Sequence, residues 1–355
     1  MEDIKYALIG FGGIAENRIA KEGFGCDVER VGTLSLGRLV GATDINQKRK
    51  SAVEALGLKW YKNADAVLAD KNIDAVFVAT NNITHFEIAR AALEAGKHVL
   101  VEKPLAATSE DAAKLVKLAK EKRLSLSVDH MMTKNVLNHK ARLLVKRGRL
   151  GAVNDACFHM EFAFGYDSAE AASWRCSNWD EMGGPIGDVA SHCFYLAEYI
   201  LNSKITSVCA VYYPKTMAIK VEDGAYIRFT LANGITCSAK VAFNELRGGA
   251  GGTLSNLGFE IYGDQGVLRS YGTMFQFSGY ADEPIRMRLE LDTFEKQQKF
   301  HVRKPENIYQ GVIYEHAVSI MRERAMSGKD GLRNVLLCEA AHKSARNGGK
   351  VVEVK

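Results

Sequence analysis

The first third of the chain alternates short apolar runs with segments of helical periodicity. The apolar runs are four to six residues long and lie at 6–9, 38–43, 75–79, 98–101 and 125–128. Runs of this length without polar alternation are typical of strands buried on both faces, which belong to parallel sheets with helices on each side. The segment 83–95 between two runs has apolar residues at three- and four-residue spacing and stops at Gly96, a good helix terminator. The alternation predicts a right-handed doubly wound α/β domain over residues 1–127.

Residues 128–355 follow a different pattern, which predicts an α+β domain. Strands are expected at 152–164, 207–211, 224–231, 236–242, 258–263 and 266–270, and helices at 138–147, 187–201, 308–326 and 332–345. Hairpin spacing and the Asn233-Gly234 turn predict a large, mostly antiparallel sheet. Because an apolar face of such a sheet has to be covered, we expect another subunit to pack on it.

Composition excludes several classes of protein. With 47% hydrophobic and 25% charged residues among 355, the chain is neither disordered nor fibrous. The net charge is +5, and basic residues are interleaved with acidic ones, so we expect no nucleic-acid partner. No apolar run approaches the roughly 18–20 residues that span a bilayer, so no membrane partner is expected either.

The cysteines and the first residues bear on location. Seven cysteines, an odd number without a CxxC pair, indicate free thiols in a reducing compartment and no zinc site. The opening residues are acidic and lead directly into the first strand, which is not typical of a signal peptide. A cytoplasmic protein without a bound metal is the resulting expectation.

A glycine-rich turn follows the first predicted strand. Residues 10–15 read G-F-G-G-I-A and match G-x-G-x-x-G/A where a helix begins. In this motif Gly10 permits the tight turn, Gly12 lets the backbone approach a pyrophosphate, and Ala15 keeps the helix close to the sheet. The N–H groups at the helix N-terminus then bind the phosphates.

Asp44 ends the second predicted strand, where an acidic side chain binds the hydroxyl groups of an adenosine ribose. A carboxylate in that place repels a 2′-phosphate, so NAD is favoured. Lys48 and Arg49, one turn further on, leave NADP open as an alternative.

Three motifs resemble the glucose–fructose oxidoreductase / inositol dehydrogenase / rhizopine catabolism (Gfo/Idh/MocA) family. Residues 79–85 (ATNNITH) are similar to its T-P-N-x-x-H segment, with Asn81 in the place of proline, and 95–105 (AGKHVLVEKPL) match its G-K-H-V-x-x-E-K-P segment. Residues 183–192 (GGPIGDVASH) are similar to G-G-G-x-L-x-D-x-G-x-H, with Pro185 and Ala190 at glycine positions. The closing stretch 330–344 is also similar to the family, so the resemblance covers nearly the whole chain.

The resemblance implies an NAD(P)-dependent oxidoreductase acting on a sugar, sugar derivative or cyclitol, assembled as a homodimer or homotetramer. Residues 1–127 would then form the dinucleotide-binding Rossmann domain, and 128–355 the domain for substrate binding and oligomerisation. It also implies a cis bond between Lys103 and Pro104. The cofactor-binding residues it implies are Gly10, Gly12, Gly13, Ile14, Asp44, Thr80, Asn82, His85, Glu102 and Lys103. The substrate-binding residues it implies are Lys103, Asn135, Tyr166, Trp174, Arg175, Asp188 and His192.

Three of these residues suit catalysis on their own chemistry. Lys103 follows the fourth predicted strand, on the edge where ligands of open α/β sheets bind, and an ammonium there stabilises alkoxide character as hydride leaves. Asp188 and His192 are spaced i, i+4, so on a helix they share one face and can form a hydrogen bond. Such a carboxylate raises the basicity of the imidazole and fixes its tautomer. We expect the ammonium and the imidazole to converge beside the nicotinamide.

Three functions are compatible with these motifs. The first is hydride transfer between a secondary hydroxyl and nicotinamide, with His192 moving the proton. The second is an NAD-dependent glycosidase, which oxidises a ring carbon transiently, eliminates the aglycone, adds water and reduces again. The third is a non-catalytic sensor of dinucleotide and sugar, which the presence of Lys103, Asp188 and His192 disfavours.

Overall fold

A computed structural model describes residues 3–29, 31–245, 257–272, 288–302 and 306–354. These residues fall into two compact units. The first contains the described residues up to Lys134 together with 306–335, and the second contains those from Asn135 to 302 together with 336–354. The division of the chain by role into 1–127 and 128–355 stays a prediction.

The first unit is built on one parallel sheet, as the alternation of apolar runs predicts. Its strands are β1 (Ile4–Ile9), β2 (Gly37–Thr43), β3 (Lys59–Trp60), β4 (Ala75–Val78), β5 (His98–Val101) and β6 (Leu126–Val128). Their order is β3-β2-β1-β4-β5-β6, and all neighbours pair in parallel. In such a sheet the strand order reverses beside β1, between β1 and β4, and ligands bind at the carboxyl ends of the strands there.

The α-helices of the described residues are numbered along the chain. They are α1 (Lys50–Ala55), α2 (Ala64–Ala69), α3 (His85–Glu94), α4 (Ser109–Lys122), α5 (Val136–Lys146), α6 (Ser168–Ala172), α7 (Trp174–Ser177), α8 (Ser191–Leu201), α9 (Ile308–Met321) and α10 (Lys329–Arg346). Two further segments, Ala15–Gly23 and Ile186–Ala190, have the wider π-helical winding, which often occurs at functional sites.

The core of the first unit lies against β1 and β4, whose central residues are fully buried. Tyr6 of β1 carries its hydroxyl into this core, and the oxygen lies 2.8 Å from Nδ1 of His316 on α9. A second polar pair, Ser125 with Ser319 of α9, joins two hydroxyl oxygens 2.7 Å apart. The buried hydroxyls are therefore paired, which removes most of the free-energy penalty of burying them.

The second unit contains a nine-stranded sheet. Its strands are β7 (Val153–Glu161), β8 (Ile205–Tyr212), β9 (Gly224–Leu231), β10 (Thr236–Ala242), β11 (Leu257–Gly263), β12 (Gly266–Gly272), β13 (Arg288–Thr293), β14 (Gln297–His301) and β15 (Val352–Glu353). The order is β14-β13-β12-β11-β7-β10-β9-β8-β15. Every pair is antiparallel except β7 with β10, which confirms the mostly antiparallel sheet.

One face of this sheet packs on α8, with the Phe194 ring of α8 5.7 Å from that of Phe229 on β9. Alternate residues of the same strands point to the other face, which is concave and borders a cavity of about 910 Å³. Exposed Val211 and Tyr226 lie in that concavity, beside polar side chains such as Arg228.

The C-terminal residue that closes α4 provides a test of the local backbone. Arg123 adopts a left-handed conformation with φ +57°, which costs free energy for a residue with a Cβ. We expect Arg123→Gly to raise the free energy of unfolding by about 0.5–1 kcal/mol, measured by urea denaturation. Exposed Lys120, inside the last turn of the same helix, is the matched control, because Lys120→Gly should lower it by about 1 kcal/mol. A loss of stability in both variants would contradict the prediction.

Candidate active site

The glycine turn lies at the carboxyl end of β1, in the first unit. Gly10 has φ +94°, and a Cβ at this residue would lie 2.6 Å from the carbonyl oxygen of Ala79 and 2.8 Å from Cγ2 of Thr80. The turn therefore packs directly on the segment that follows β4, and a larger residue does not fit. Gly12 is exposed, and a Cβ there would meet nothing within 4 Å. The open side of the turn fits a diphosphate, with Gly13 and Ile14 also at its surface.

Asp44 holds this turn from the end of β2. Its Oδ2 accepts the Phe11 N–H at 2.6 Å, and its Oδ1 accepts the Asn46 N–H at 2.7 Å. Since a carboxylate has about four acceptor positions, these two bonds leave others for ribose hydroxyl groups. Sequence reasoning found this residue but not its bond to the turn.

Arg49 is the basic residue nearest to this turn by its contacts. Its Nε donates to the Phe11 carbonyl oxygen at 2.7 Å, and its guanidinium forms an ion pair with Glu16. The positive charge is thus already neutralised by a carboxylate of the same unit. This pairing lowers its value as a binding group for a second phosphate.

Lys103 follows β5 at the same edge of the parallel sheet. The peptide bond to Pro104 is cis, as the family resemblance implies, and Oε2 of Glu102 accepts the Lys103 backbone N–H at 3.0 Å. Glu102 and Lys103 are partly buried, and they are the first two residues after β5. Contact of the Lys103 ammonium with a reacting oxygen stays a prediction.

His85 connects the two family segments of the first unit. Its ring is fully buried; Nδ1 lies 2.7 Å from the Pro104 carbonyl oxygen and Nε2 3.1 Å from that of Thr80. Burial lowers the pKa of this imidazole, and the ammonium of Lys103 lowers it further. The ring therefore clamps the segment after β4 to that after β5, while a direct contact with the cofactor stays a prediction. Asn82, also buried, begins the turn that leads into α3.

Asp129 is a further residue of this edge, to which sequence reasoning gave no role. It follows β6, where Val128 pairs with Val101, and its N–H donates to the Val101 carbonyl oxygen at 2.8 Å. Glu102 and Asp129 are thus the first residues after two neighbouring strands. Burial, and then the charge of Glu102, raises the pKa of the Asp129 carboxyl well above its usual value. A polar residue directly after each predicted strand was the available signal.

In the second unit the structure brings together Trp174, Arg175 and Asp188. Nε of Arg175 donates to Oδ2 of Asp188 at 3.2 Å, and the guanidinium lies 4.5 Å from the centre of the Trp174 ring. Asp188 is buried within the π-helical segment, so its charge is balanced by an arginine that is itself held on an aromatic face. Sequence reasoning identified all three residues but not the ion pair.

His192 lies in the first turn of α8 and is 1% exposed. Its Nδ1 lies 2.7 Å from the hydroxyl oxygen of Tyr195, one helical turn later. Tyr195 was missed, although its i, i+3 spacing was a signal for it. The hydrogen bond between Asp188 and His192 stays a prediction.

Two other predicted substrate-binding residues, Asn135 and Tyr166, differ in burial. Asn135 is fully buried and caps α5, its Oδ1 accepting the N–H groups of Leu137 and Asn138 at 2.9 and 3.1 Å. Tyr166 is 67% exposed. Contact of either residue with a substrate stays a prediction.

The described residues contain neither a metal-binding cluster nor a membrane-spanning helix. They contain no group of three or more His, Cys, Asp and Glu side chains arranged to hold a metal ion. Within the same ranges, no helix has the length and apolar character needed to cross a membrane.

Two family models match the chain. Residues 4–130 match the model described as "Oxidoreductase family, NAD-binding Rossmann fold", and residues 138–269 match "GFO/IDH/MocA C-terminal domain". A 1,5-anhydro-D-fructose reductase from Ensifer adhaerens is 28% identical over 82% of this chain and 83% of its own. A levoglucosan dehydrogenase from Pseudarthrobacter phenanthrenivorans is 27% identical over 57% of this chain and 56% of its own.

Solved structures share the fold. An aldose-aldose oxidoreductase from Caulobacter crescentus, crystallised with glycerol, has a TM-score of 0.82 at 21% identity and covers 99% of this chain and 100% of its own. An inositol dehydrogenase homologue from Azotobacter vinelandii, crystallised with NADH and myo-inositol, has a TM-score of 0.80 at 22% identity, covering 99% and 98%.

Two glycines of the turn provide a matched test of the phosphate cradle. Gly10→Ala should destabilise the protein by about 2–4 kcal/mol, because the new Cβ meets the Ala79 backbone at positive φ. Gly12→Ala should change the free energy of unfolding by less than about 0.5 kcal/mol, since it meets nothing, yet weaken NAD binding at least about tenfold. Urea denaturation and calorimetric titration measure the two effects. Unchanged NAD affinity in Gly12→Ala would show that the diphosphate binds elsewhere.

Proposed function

Because this chain belongs to the Gfo/Idh/MocA family of oxidoreductases, we propose that it transfers hydride between nicotinamide and a secondary hydroxyl of a sugar, sugar derivative or cyclitol. The observation that carries the proposal is the sheet edge of the first unit. There the open glycine turn, Asp44 and the His85 clamp on the Lys103-Pro104 segment all follow strands of one parallel sheet. A cradle for a dinucleotide and a cation for a reacting oxygen therefore occur in one unit.

The nicotinamide cofactor, when bound, supplies the hydride acceptor or donor at its C4 position. Gly12 and Gly13 let the backbone approach the diphosphate, and Asp44 accepts the ribose hydroxyl groups. We favour NAD because the Asp44 carboxylate repels a 2′-phosphate and because the charge of Arg49 is paired with Glu16. NADP remains the alternative cofactor of the proposal.

In the oxidative direction His192 removes the proton of the substrate hydroxyl as the hydride leaves its carbon. Lys103 stabilises the alkoxide character on the oxygen, and Asp188 stabilises the positive charge that the imidazole gains with the proton. The Arg175 guanidinium holds Asp188 in place through their 3.2 Å contact. In the reductive direction the same groups return the proton.

The chemistry of known relatives supports this class of substrate. The Ensifer relative is named for reduction of 1,5-anhydro-D-fructose, and the Azotobacter neighbour was crystallised with myo-inositol. These compounds share a ring with several secondary hydroxyl groups. Trp174 and Arg175 present an aromatic face and hydrogen-bond donors, which suit the two faces of such a ring. We propose that Asn135 and Tyr166 also contact the substrate.

We further propose a homodimer or homotetramer in the cytoplasm. The concave face of the nine-stranded sheet carries exposed apolar side chains, including Val211 and Tyr226, that a second copy would cover. All seven cysteines are free thiols, which fits a reducing compartment. Sedimentation of the purified protein would give the number of subunits.

Two substitutions test the catalytic assignment. We expect Lys103→Ala and His192→Asn each to lower kcat at least about 10³-fold, because each removes a group that acts in the transition state. The dissociation constant for NAD should stay within about threefold for His192→Asn. Exposed Lys117 and His139 serve as matched controls in Lys117→Ala and His139→Asn, which should keep full turnover. Equal turnover in variants and controls would defeat the assignment.

A substrate screen distinguishes the functions that the motifs leave open. Sugars, sugar acids and inositols are incubated with NAD or NADP, and the absorbance of the reduced nicotinamide is followed. Accumulation of NADH with one substrate supports the dehydrogenase. Release of an aryl alcohol from a chromogenic glycoside without net NADH would identify the glycosidase instead, and tight NAD binding without hydride exchange would identify a sensor.

A further inference from the structure

A buried glutamate of the second unit has no place in the chemistry described above. Glu222 lies two residues before β9 and is 5% exposed. Its Oε1 accepts the backbone N–H of Ile186 at 2.8 Å. Its Oε2 is buried and has no hydrogen-bond partner among the described residues. A buried carboxyl oxygen without a hydrogen bond lowers the free energy of unfolding. An apolar side chain would fill the same space without this penalty, so the carboxyl group needs another explanation.

The turn ahead of the catalytic segment is shaped around this carboxyl group. Gly184 has φ +85°, and a Cβ added to it would overlap the Glu222 carboxyl atoms. On the other side, a Cβ on Gly183 would lie 2.6 Å from the carbonyl oxygens of Trp174 and Asn178. The two glycines thus allow the backbone to pass between α7 and Glu222. This accounts for the glycine pair of the motif at 183–192 by contact rather than by flexibility.

The bond that Glu222 makes falls at the start of the π-helical segment. Ile186 is the first residue of that segment, Asp188 lies within it, and His192 follows in the first turn of α8. A helical segment has unpaired N–H groups at its N-terminus, and an acceptor there fixes where the segment begins. A shift at Ile186 would therefore be carried through to the carboxylate and the imidazole.

We propose that Glu222 is a positioning residue, which fixes the segment bearing Asp188 and His192 through the Ile186 N–H and the Gly184 turn. The proposal rests on the proposed catalytic role of His192. A positional error of about 1 Å in a reacting group can cost about a hundredfold in rate. Glu222 acts on turnover through these residues and touches neither substrate nor cofactor.

The ionisation of Glu222 suits this role. Burial raises the pKa of its carboxyl to about 8, against the opposing effects of the Ile186 N–H, Lys215 and Arg346. Tyr212 of β8 also faces the Glu222 carboxyl group. After burial, the charge of Glu222 is the next cause of the raised pKa of the Tyr212 hydroxyl. At neutral pH the side chain is thus mainly the neutral acid, and glutamine reproduces both its shape and its acceptor oxygen.

Two variants of Glu222 test the proposal. Glu222→Ala should lower kcat at least tenfold and leave the affinity for NAD within threefold, since the cofactor residues lie in the first unit. Glu222→Gln should keep kcat within threefold at pH 7, because it retains the acceptor for Ile186. The matched control is Glu198 near the C-terminal end of α8, whose side chain is 8% exposed and accepts the Ile205 N–H at 2.9 Å. Glu198→Ala should keep kcat within threefold.

Two glycine variants test the same contact from the other side. Gly184→Ala should lower kcat at least tenfold through its overlap with Glu222. Gly234 has a similar φ of +88° with nothing within 4 Å of a Cβ, so Gly234→Ala carries the same backbone strain without the overlap. Gly234→Ala should keep kcat within threefold. This pair keeps the proposal testable if Glu222→Ala does not fold.

Hydrogen exchange separates this proposal from the proposed function. The backbone amides of residues 183–192 should exchange at least tenfold faster in Glu222→Ala than in the native chain or Glu222→Gln. Unchanged exchange together with unchanged kcat would overturn the positioning role. Full turnover in His192→Asn would instead refute the catalytic assignment, whatever the exchange rates show.

Discussion

The close approach of two backbone segments at the reversal of strand order is the constraint on which the cofactor site depends. The chain leaving β1 passes so near to the Ala79 carbonyl group that Gly10 has no room for a Cβ. This contact brings the turn onto the segment after β4, which His85 in turn joins to the segment after β5. The glycine turn and the segment that bears Lys103 are thus tied to one parallel sheet by backbone packing and buried hydrogen bonds.

The same principle recurs in the second unit with different atoms. The glycine pair at Gly183 and Gly184 passes between helix carbonyl groups and a buried carboxyl, and the chain then turns into the segment that bears Asp188. In both units glycine is required because another group occupies the space of its side chain. Gly12, by contrast, borders open space, which a bound diphosphate can use.

Much of the fold could be predicted from the sequence, because buried parallel strands are continuous apolar runs. β5, β9 and β10 lie at the predicted residues, and the Asn233-Gly234 turn connects the last two. The two-residue strand β3 is too short for a periodic signal. β13 was missed although Leu289 and Leu291, both buried, alternate with charged residues. β14 is mostly polar, and β15 is as short as β3.

Residue identities in the site were easier to predict than the contacts between them. Lys103, Asp188 and His192 stand out by motif, whereas the Arg175–Asp188 ion pair depends on the winding of a π-helical segment. The His192–Tyr195 contact, within α8, had only its i, i+3 spacing as a signal. Glu222 gave no signal, since its importance comes from burial that only the folded chain creates, and Asp129 was marked only by its place directly after a strand. Pairings across distant parts of the chain, such as Glu222 with Ile186, have no periodicity from which to infer them.

The two contacts of the His85 ring depend on which of its nitrogens carries the hydrogen. A neutral imidazole has a single N–H, yet the two ring nitrogens of His85 each lie beside a carbonyl oxygen. Since burial disfavours the doubly protonated ring, the Thr80 and Pro104 carbonyl groups compete for one hydrogen. The tautomer of His85 therefore decides which of the two segments is held more firmly, and ¹⁵N chemical shifts of the ring would report that choice directly.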